Sequence, residues 1–457
     1  MSENAQKGMN SNVKAGTVYK SDTAALHPFR WKRVFNDILS GPTTRMGMLS
    51  LADQAIVSAT NFLTGVIIGR ACSKEELGLY MLGFSIVLIV MTLQNSIISA
   101  PYTIYSPRLK NSDHAKYTGS TLIHLLALSA IGILALGTAG TILSFGVGPQ
   151  NLTPIIWALV VAITFILLRE YGRRISFANL QFKTALVLDL FSSVVQIVGL
   201  LLLYYFGYLS ASRAFWVIAT ACSIAAIGWI IWRRKVFIFR VKLIIPDFWR
   251  NWSFGKWVFA GNMAIMLSVQ LYPWLINGYH GTAVTGVFAA CWGVIALSNP
   301  LVVGIENILG PKIAHASALS VSKLRKIVHK TTIFLSVATG LFSLLILIFG
   351  NELIVKIYGK QYAGNGVFLF VLSLSILALT TASPAAYGLW ALERSDINCK
   401  INLLALCVTL TIGLWFVKFF GPLGAAFGLL LGNTSASAVR FMIFYRLIRP
   451  PSTHGIN

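Results

Sequence analysis

Uninterrupted apolar runs of about 20 residues, the length that spans a hydrocarbon core, recur along almost the whole chain. One of them, "TTIFLSVATGLFSLLILIFG" from Thr331 to Gly350, holds no charged residue. In lipid such a run is satisfied as a helix, because each backbone N–H and C=O must find its partner within the segment. A transmembrane β-barrel would instead alternate polar and apolar residues over segments of about ten. Only 11% of the 457 residues are charged and 56% are hydrophobic. That is roughly half the charge of an ordinary soluble domain, too little to cover a water-facing surface of this size. The expected fold class is an all-α polytopic membrane protein.

Twelve spans are expected, near 47–69, 79–102, 118–147, 152–172, 185–206, 212–232, 252–277, 284–308, 328–349, 366–390, 401–419 and 422–445. Of the 37 Lys and Arg residues, 31 fall on one side of these spans and 6 on the other. The positive-inside rule then predicts both termini in the cytoplasm. Topology also accounts for the net charge of +23, so nucleic acid is not an expected partner. Residues 1–27 are polar and aperiodic, without the apolar core or cleavage site of a signal peptide. Three of the five cysteines (Cys222, Cys291, Cys407) lie in spans, Cys399 is expected on the cytoplasmic side and Cys72 alone outside. No outer disulfide framework is expected. No Cys or His pair has metal-ligand spacing; His124, within a span, is expected to be a packed or hydrogen-bonded core residue. No GxxxxGK[ST] sequence occurs, the loops are too short for a soluble catalytic domain, and neither a cofactor nor an enzymatic activity is expected.

The chain reads as two copies of one unit. "IIGRACSKEELGLY" (Ile67 to Tyr80) and "INGYHGTAVTGVF" (Ile276 to Phe288) are both glycine-flanked turns. Each is followed by an apolar helix ending at a proline-containing turn, "SAPYTIYSPRLK" or "NILGPKIAHA". The expected organisation is a basic tail with an interfacial helix at 1–44, a six-helix lobe at 45–235, a cytoplasmic linker at 236–250, a second six-helix lobe at 251–449 and a tail at 450–457. In the interfacial helix, Trp31, Val34, Phe35, Ile38 and Leu39 would share one face, with Arg30, Lys32 and Arg33 around the other. Six crossings return the chain to its starting side, so the lobes would be related about the membrane normal, with a substrate site between them.

Candidate site residues follow from polar positions inside the spans. Asp53, Gln54, Ser58, Asn61, Thr64 and Gly65 recur at helical spacing on the first span; Asn262, Gln270, Pro273 and Asn277 do so on the seventh. An aspartate facing lipid at a helix centre costs about 2.5–3.5 kcal/mol on insertion scales, so these stripes are expected to face a wet cavity or another helix. Arg45 and Lys256 begin the same two spans and could hold a phosphate or pyrophosphate by charge-assisted hydrogen bonds. Asp53, Asp189 and Glu306 are candidates for ion coupling. The cluster "REYGRR" (Arg169 to Arg174) is expected to be a cytoplasmic anchor.

"IIGRACSKEELGLYML", "INGYHGTAVTGVFAA", "ENILGPKIA" and "NELIVKIYGKQY" together resemble the polysaccharide-transport branch of the superfamily that also holds the MATE drug exporters. The resemblance covers about residues 45–449. It implies a flippase for isoprenoid pyrophosphate-linked oligosaccharide of the O-antigen or exopolysaccharide kind, in a bacterial cytoplasmic membrane. It also implies two six-helix lobes around a cavity that is often cationic, with membrane lipid and glycan polymerases or glycosyltransferases as partners. The chain departs from that pattern in carrying few cations on its cavity helices beyond Arg45, Lys256 and Arg70. A MATE-type antiporter is the nearest rival, although "SLADQAIV" lacks the proline that the MATE pattern sets beside its aspartate. A glycan polymerase fits less well, since the outer loops are short.

Overall fold

Poor in polar side chains, the chain closes its backbone hydrogen bonds within helices; helices and short turns are all that the described residues form. The structure is a computed structural model describing residues 42–146 and 150–448. The expected tails and the interfacial helix at 1–41 lie outside the described residues.

In chain order the helices are α1 (Pro42–Ala71), α2 (Lys74–Arg108), α3 (Asn111–Ser144), α4 (Thr153–Ala178), α5 (Phe182–Tyr205) and α6 (Ala211–Trp232). There follow α7 (Val241–His280), α8 (Thr282–Ile295), α9 (Asn299–Leu319), α10 (Val321–Tyr358), α11 (Gly366–Ala391), α12 (Ser395–Val408) and α13 (Leu414–Leu447). Among the described residues, 10 helices are long and apolar enough to cross a membrane. That number counts Ser395–Leu447 as a single run. A π-helical turn at Thr409–Gly413 and a break at Gly421 interrupt it. Gly421 has φ 55 and ψ −132, a conformation a Cβ would strain. The eighth expected span is likewise divided, by a 3-10 turn at Ala296–Ser298 between α8 and α9. Residues 241–250, expected as linker, are already helical and form the start of α7.

Neighbour relationships repeat between the halves. In the first, α3 packs on α4, α4 on α6, and α5 on both α4 and α6; in the second, α10, α11, α12 and α13 repeat that pattern in the same order. The halves meet where α2 packs on α7 and α8, and α3 on α7. His124 Nε2 lies 2.8 Å from the Ile244 carbonyl, and Tyr117 donates to Asn251 at 2.7 Å, which ties the start of α7 to α3. The expectation that His124 is a packed or hydrogen-bonded core residue agrees with this placement.

The α2–α8 contact explains the glycines of the two turns. A Cβ on Gly78 would collide with the Thr282 carbonyl, and one on Gly286 with the Lys74 carbonyl. Each glycine thus faces the carbonyl four residues ahead of the other, the reciprocity that a local twofold axis produces. Without side chains at the crossing, the two backbones touch.

Candidate substrate cavity

Beneath that crossing lies a cavity of ≈ 280 Å³. α1 lines it with Gln54, Ser58, Asn61 and Gly65, α2 with Tyr80, Met81 and Phe84, and α8 with Trp292 and Gly293; Asn299 and Tyr358 complete the wall. Its polar groups are neutral: amides, a hydroxyl and phenols beside an indole. Such a surface offers donors, acceptors and flat apolar faces without net charge.

The expected stripe on α1 divides in two. Gln54, Ser58 and Asn61 face the cavity, with Gln54 Nε2 donating to Ser58 at 3.3 Å. Asp53 and Thr64 are fully buried instead. Thr64 Oγ1 accepts from Gln196 of α5 at 2.8 Å. Arg173 of α4 reaches Asp53 at 2.8 Å and Asp189 at 2.7 Å, and Arg169 pairs with Asp189 at 2.6 Å. Glu170 binds Arg174 at 2.6 Å. Three carboxylates and three guanidiniums thus share one site inside the first half. Most of "REYGRR" is therefore not a surface anchor: Glu170 is 2% exposed and Arg173 8%, Arg173 being neutralised by Asp53 of α1 and Asp189 of α5 and Glu170 by Arg173 and the more exposed Arg174 of α4 itself. Arg173 and Glu170 are the residues that sequence reasoning misplaced; the signal, two acidic positions in apolar spans nearby, was available.

On α7 the expected residues disperse. Asn262 donates to Ser96 of α2 at 3.2 Å. Gln270 is buried with its Nε2 unpartnered among the described residues. Asn277 is half-buried near the end of α7, and Lys256 is exposed with its ammonium 5.5 Å from the Trp257 ring. The side chain of Arg45 lies outside the described residues. Neither Lys256, Gln270 nor Asn277 lines the cavity under the crossing.

A second cavity of ≈ 300 Å³ occupies the second half and shares Asn299 with the first. Its wall includes Glu306, Ser383, Tyr387, Asn398, Asn402 and Arg440. Ser383 donates to Glu306 at 2.5 Å.

The crossing end of the first cavity is closed by more than glycine packing. The Tyr358 ring fills a notch formed by Gly65, Gly69 and Gly293. Arg70 donates to the carbonyls of Ile357 and Lys356, and Gln361 to that of Gly69 at 2.8 Å. The charge of Arg70, expected as a cavity cation, is spent on latching the halves together.

Residues 108–366, more than half of the chain, match the family described as "Polysaccharide biosynthesis protein". The chain belongs to this family. Two of its relatives carry informative names. The capsular polysaccharide biosynthesis protein CapF of Staphylococcus aureus is 22% identical over 176 residues, 38% of this chain and 44% of CapF. The probable flippase AglR of Haloferax volcanii is 26% identical over 194 residues, 41% of this chain and 40% of AglR. The chain thus spans less than half the length of the relatives it matches. Among solved structures, an inward-facing multidrug resistance MATE family transporter of the MOP superfamily superposes with TM-score 0.71 at 15% identity, covering 91% of this chain and 97% of that one. The lipid II flippase MurJ in an inward closed conformation gives 0.67 at 14% identity, covering 87% of each. The fold of this polysaccharide biosynthesis family member is therefore that of MATE-like transporters, and the chain is a multi-pass membrane protein.

Proposed function

We propose that the protein flips an isoprenoid pyrophosphate-linked oligosaccharide across the membrane by alternating access. The observation that carries this reading is the neutral cavity under the α2–α8 crossing. Amides and hydroxyls matched to ring hydroxyls, with Trp292 offering an apolar indole surface to sugar C–H bonds, suit a glycan better than a cationic drug. The family membership supports a cargo from polysaccharide biosynthesis, and the name of AglR supports flipping as the activity. The isoprenoid tail would remain in lipid while the head group occupies the cavity. Opening of the crossing and closure of the opposite end would then release the head group on the other face. With the cation asymmetry read as positive-inside, the crossing closes the outer face and the cavity loads from the cytoplasm.

The buried carboxylates favour a second reading, a MATE-type antiporter. Asp53 and Asp189 share Arg173, and protonating either would loosen one of the contacts that hold that guanidinium, a coupling step open to either cargo. Reconstituted vesicles separate the two. Under the flippase reading, a fluorescent prenyl-pyrophosphoryl saccharide placed in one leaflet crosses at a rate that Asn61→Leu lowers by roughly tenfold, with stability within about 0.5 kcal/mol of wild type. Ethidium efflux from the same vesicles with no saccharide flipping would reject that reading in favour of the antiporter.

A further inference from the structure

The charged side chains inside the two halves are treated differently. Arg169 and Arg173 each have a carboxylate partner at under 3 Å. Arg440 on α13 has none among the described residues, although it is only 7% exposed. Its two hydrogen bonds go to neutral amides: Nε to Asn398 Oδ1 at 3.2 Å and Nη2 to Asn402 Oδ1 at 3.0 Å. Asn398 is itself fixed, its Nδ2 donating to the Ala386 carbonyl at 2.9 Å. The guanidinium is therefore held in place by its Nε and Nη2, while Nη1 has no hydrogen bond among the described residues. Glu306, the other charged group on the same wall, is engaged by Ser383 and makes no ion pair with Arg440.

A buried guanidinium without a counter-charge is costly within a membrane-spanning bundle. Burying Met or Leu at the same place would avoid that cost, so packing alone does not explain an arginine here. The free edge of a guanidinium fork presents parallel N–H donors matched to two oxygens of one phosphate or carboxylate. Around it, Asn402 and Asn433 add amide groups, Glu306 can accept from a hydroxyl, and Tyr387 and Trp390, packed edge to face with centroids 5.0 Å apart, supply aromatic surface. The cavity, ≈ 300 Å³, is at the lower end of small-molecule sites.

We propose that this second cavity is an oxyanion subsite, in which Arg440 receives a phosphoryl or carboxylate group of the transported head group while neutral sugar units lie in the adjoining cavity. The proposal rests on the flippase reading for the identity of the cargo and on Arg440 alone for its charge. The two cavities share Asn299, so one extended molecule could occupy both. A head group with an anion at one end and sugars beyond it has the required layout.

The test is equilibrium binding to the full-length protein in nanodiscs, with three anionic probes and one neutral control. The probes are inorganic pyrophosphate, geranyl pyrophosphate and glucuronate; the control is glucose. Wild type should bind at least one anion, and Arg440→Gln should weaken that binding roughly 10- to 100-fold, the range for one charge-assisted contact. Arg440→Lys, which keeps the charge without the fork, should fall between the two. Asn402→Leu, which leaves the arginine but removes one of its supports, should weaken binding less than Arg440→Gln and serves if that variant does not fold. Preference for the pyrophosphates assigns the anion to the carrier phosphate, and preference for glucuronate to an acidic sugar. Equal anion affinity in wild type and Arg440→Gln, or no anion binding by wild type, overturns the proposal. Vesicle flipping scored in parallel keeps the readings apart. Flipping that Arg440→Gln leaves intact sinks the subsite alone, whereas Arg440-dependent binding by a protein that flips nothing sinks the cargo assignment alone.

Discussion

Gly78→Ala tests whether the α2–α8 crossing is a gate. The added Cβ would overlap the Thr282 carbonyl oxygen and approach the Gly286 amide nitrogen to 2.9 Å. Both are backbone atoms of α8, so no rotamer change relieves the clash and the helices must separate. Overpacking of this kind costs about 1–3 kcal/mol, and rigid backbone on the far side places this site toward the upper half of that range, about 2–3 kcal/mol. The cost falls only on conformations in which the crossing is made. An equilibrium between closed and open crossing therefore shifts toward open by about 30- to 150-fold, at tenfold per 1.4 kcal/mol.

Cys72 reports the shift without engineering. It lies in the turn between α1 and α2, half-buried, with its thiol 3.4 Å from the Leu209 carbonyl. Gln361 of the second half covers its backbone. Burial, helped by the Glu76 carboxylate, pushes its pKa up to about 11, so the reactive thiolate is scarce at neutral pH. With the crossing closed, maleimide labelling should therefore be slow and should keep rising about tenfold per pH unit until about pH 11. Opening rehydrates the thiol, and labelling of Gly78→Ala should be faster at neutral pH and level off near pH 9. Mass spectrometry of the labelled peptide distinguishes Cys72 from exposed Cys407. A folded Gly78→Ala protein that labels at the wild-type rate over the whole pH range, and still transports, would show that the contact is not a gate.

Arg70→Gln removes the cation that donates to the Ile357 and Lys356 carbonyls; because Arg70 is exposed, the latch should be worth only about 1 kcal/mol. Cys72 labelling should accelerate about fivefold, and less than additively in combination with Gly78→Ala because both act on one closure. Arg173→Met leaves Asp53 and Asp189 buried without their shared partner and should lower stability by about 3–5 kcal/mol. Adding Asp53→Asn and Asp189→Asn to that variant should recover much of the loss in detergent thermal unfolding, and no recovery would mean that the cluster is not held by charge.

Most helices were legible because hydrophobic runs report directly on where backbone must satisfy itself, but the turns at Ala296–Ser298 and Thr409–Gly413 lie inside continuous apolar runs and left no mark in the pattern. Residues 67–80 and 276–288 were legible as a matched pair, since glycines in apolar helices carry packing information even when their partner is unknown. What the pattern could not resolve was which of two adjacent faces each polar residue takes. Asp53 and Gln54 are about 100° apart on a helix, yet a three- to four-residue spacing joins them into one stripe. Only the position of α4 and α5 sends Asp53 inward to Arg173 while Gln54 turns to the cavity. Cations near helix ends pose a related problem. Arg173 and Arg440 were both counted toward the positive-inside asymmetry, because one sequence cannot distinguish a headgroup anchor from a buried charge whose partner lies on another helix.

That ambiguity separates the two halves most sharply. They repeat the same helix packing, but the first neutralises its buried guanidiniums with Asp53, Asp189 and Glu170, whereas Arg440 is held only by the amides of Asn398 and Asn402. Had internal stability been the only demand on the buried arginines, the cheaper solution of the first half would have served in the second. A carboxylate at Asn398 or Asn402 would neutralise Arg440 and, on this reasoning, block its use by an anionic ligand. Asn402→Asp should therefore raise thermal stability while abolishing anion binding. If the stabilised variant bound pyrophosphate as well as wild type does, the missing counter-charge would have no connection with the cargo.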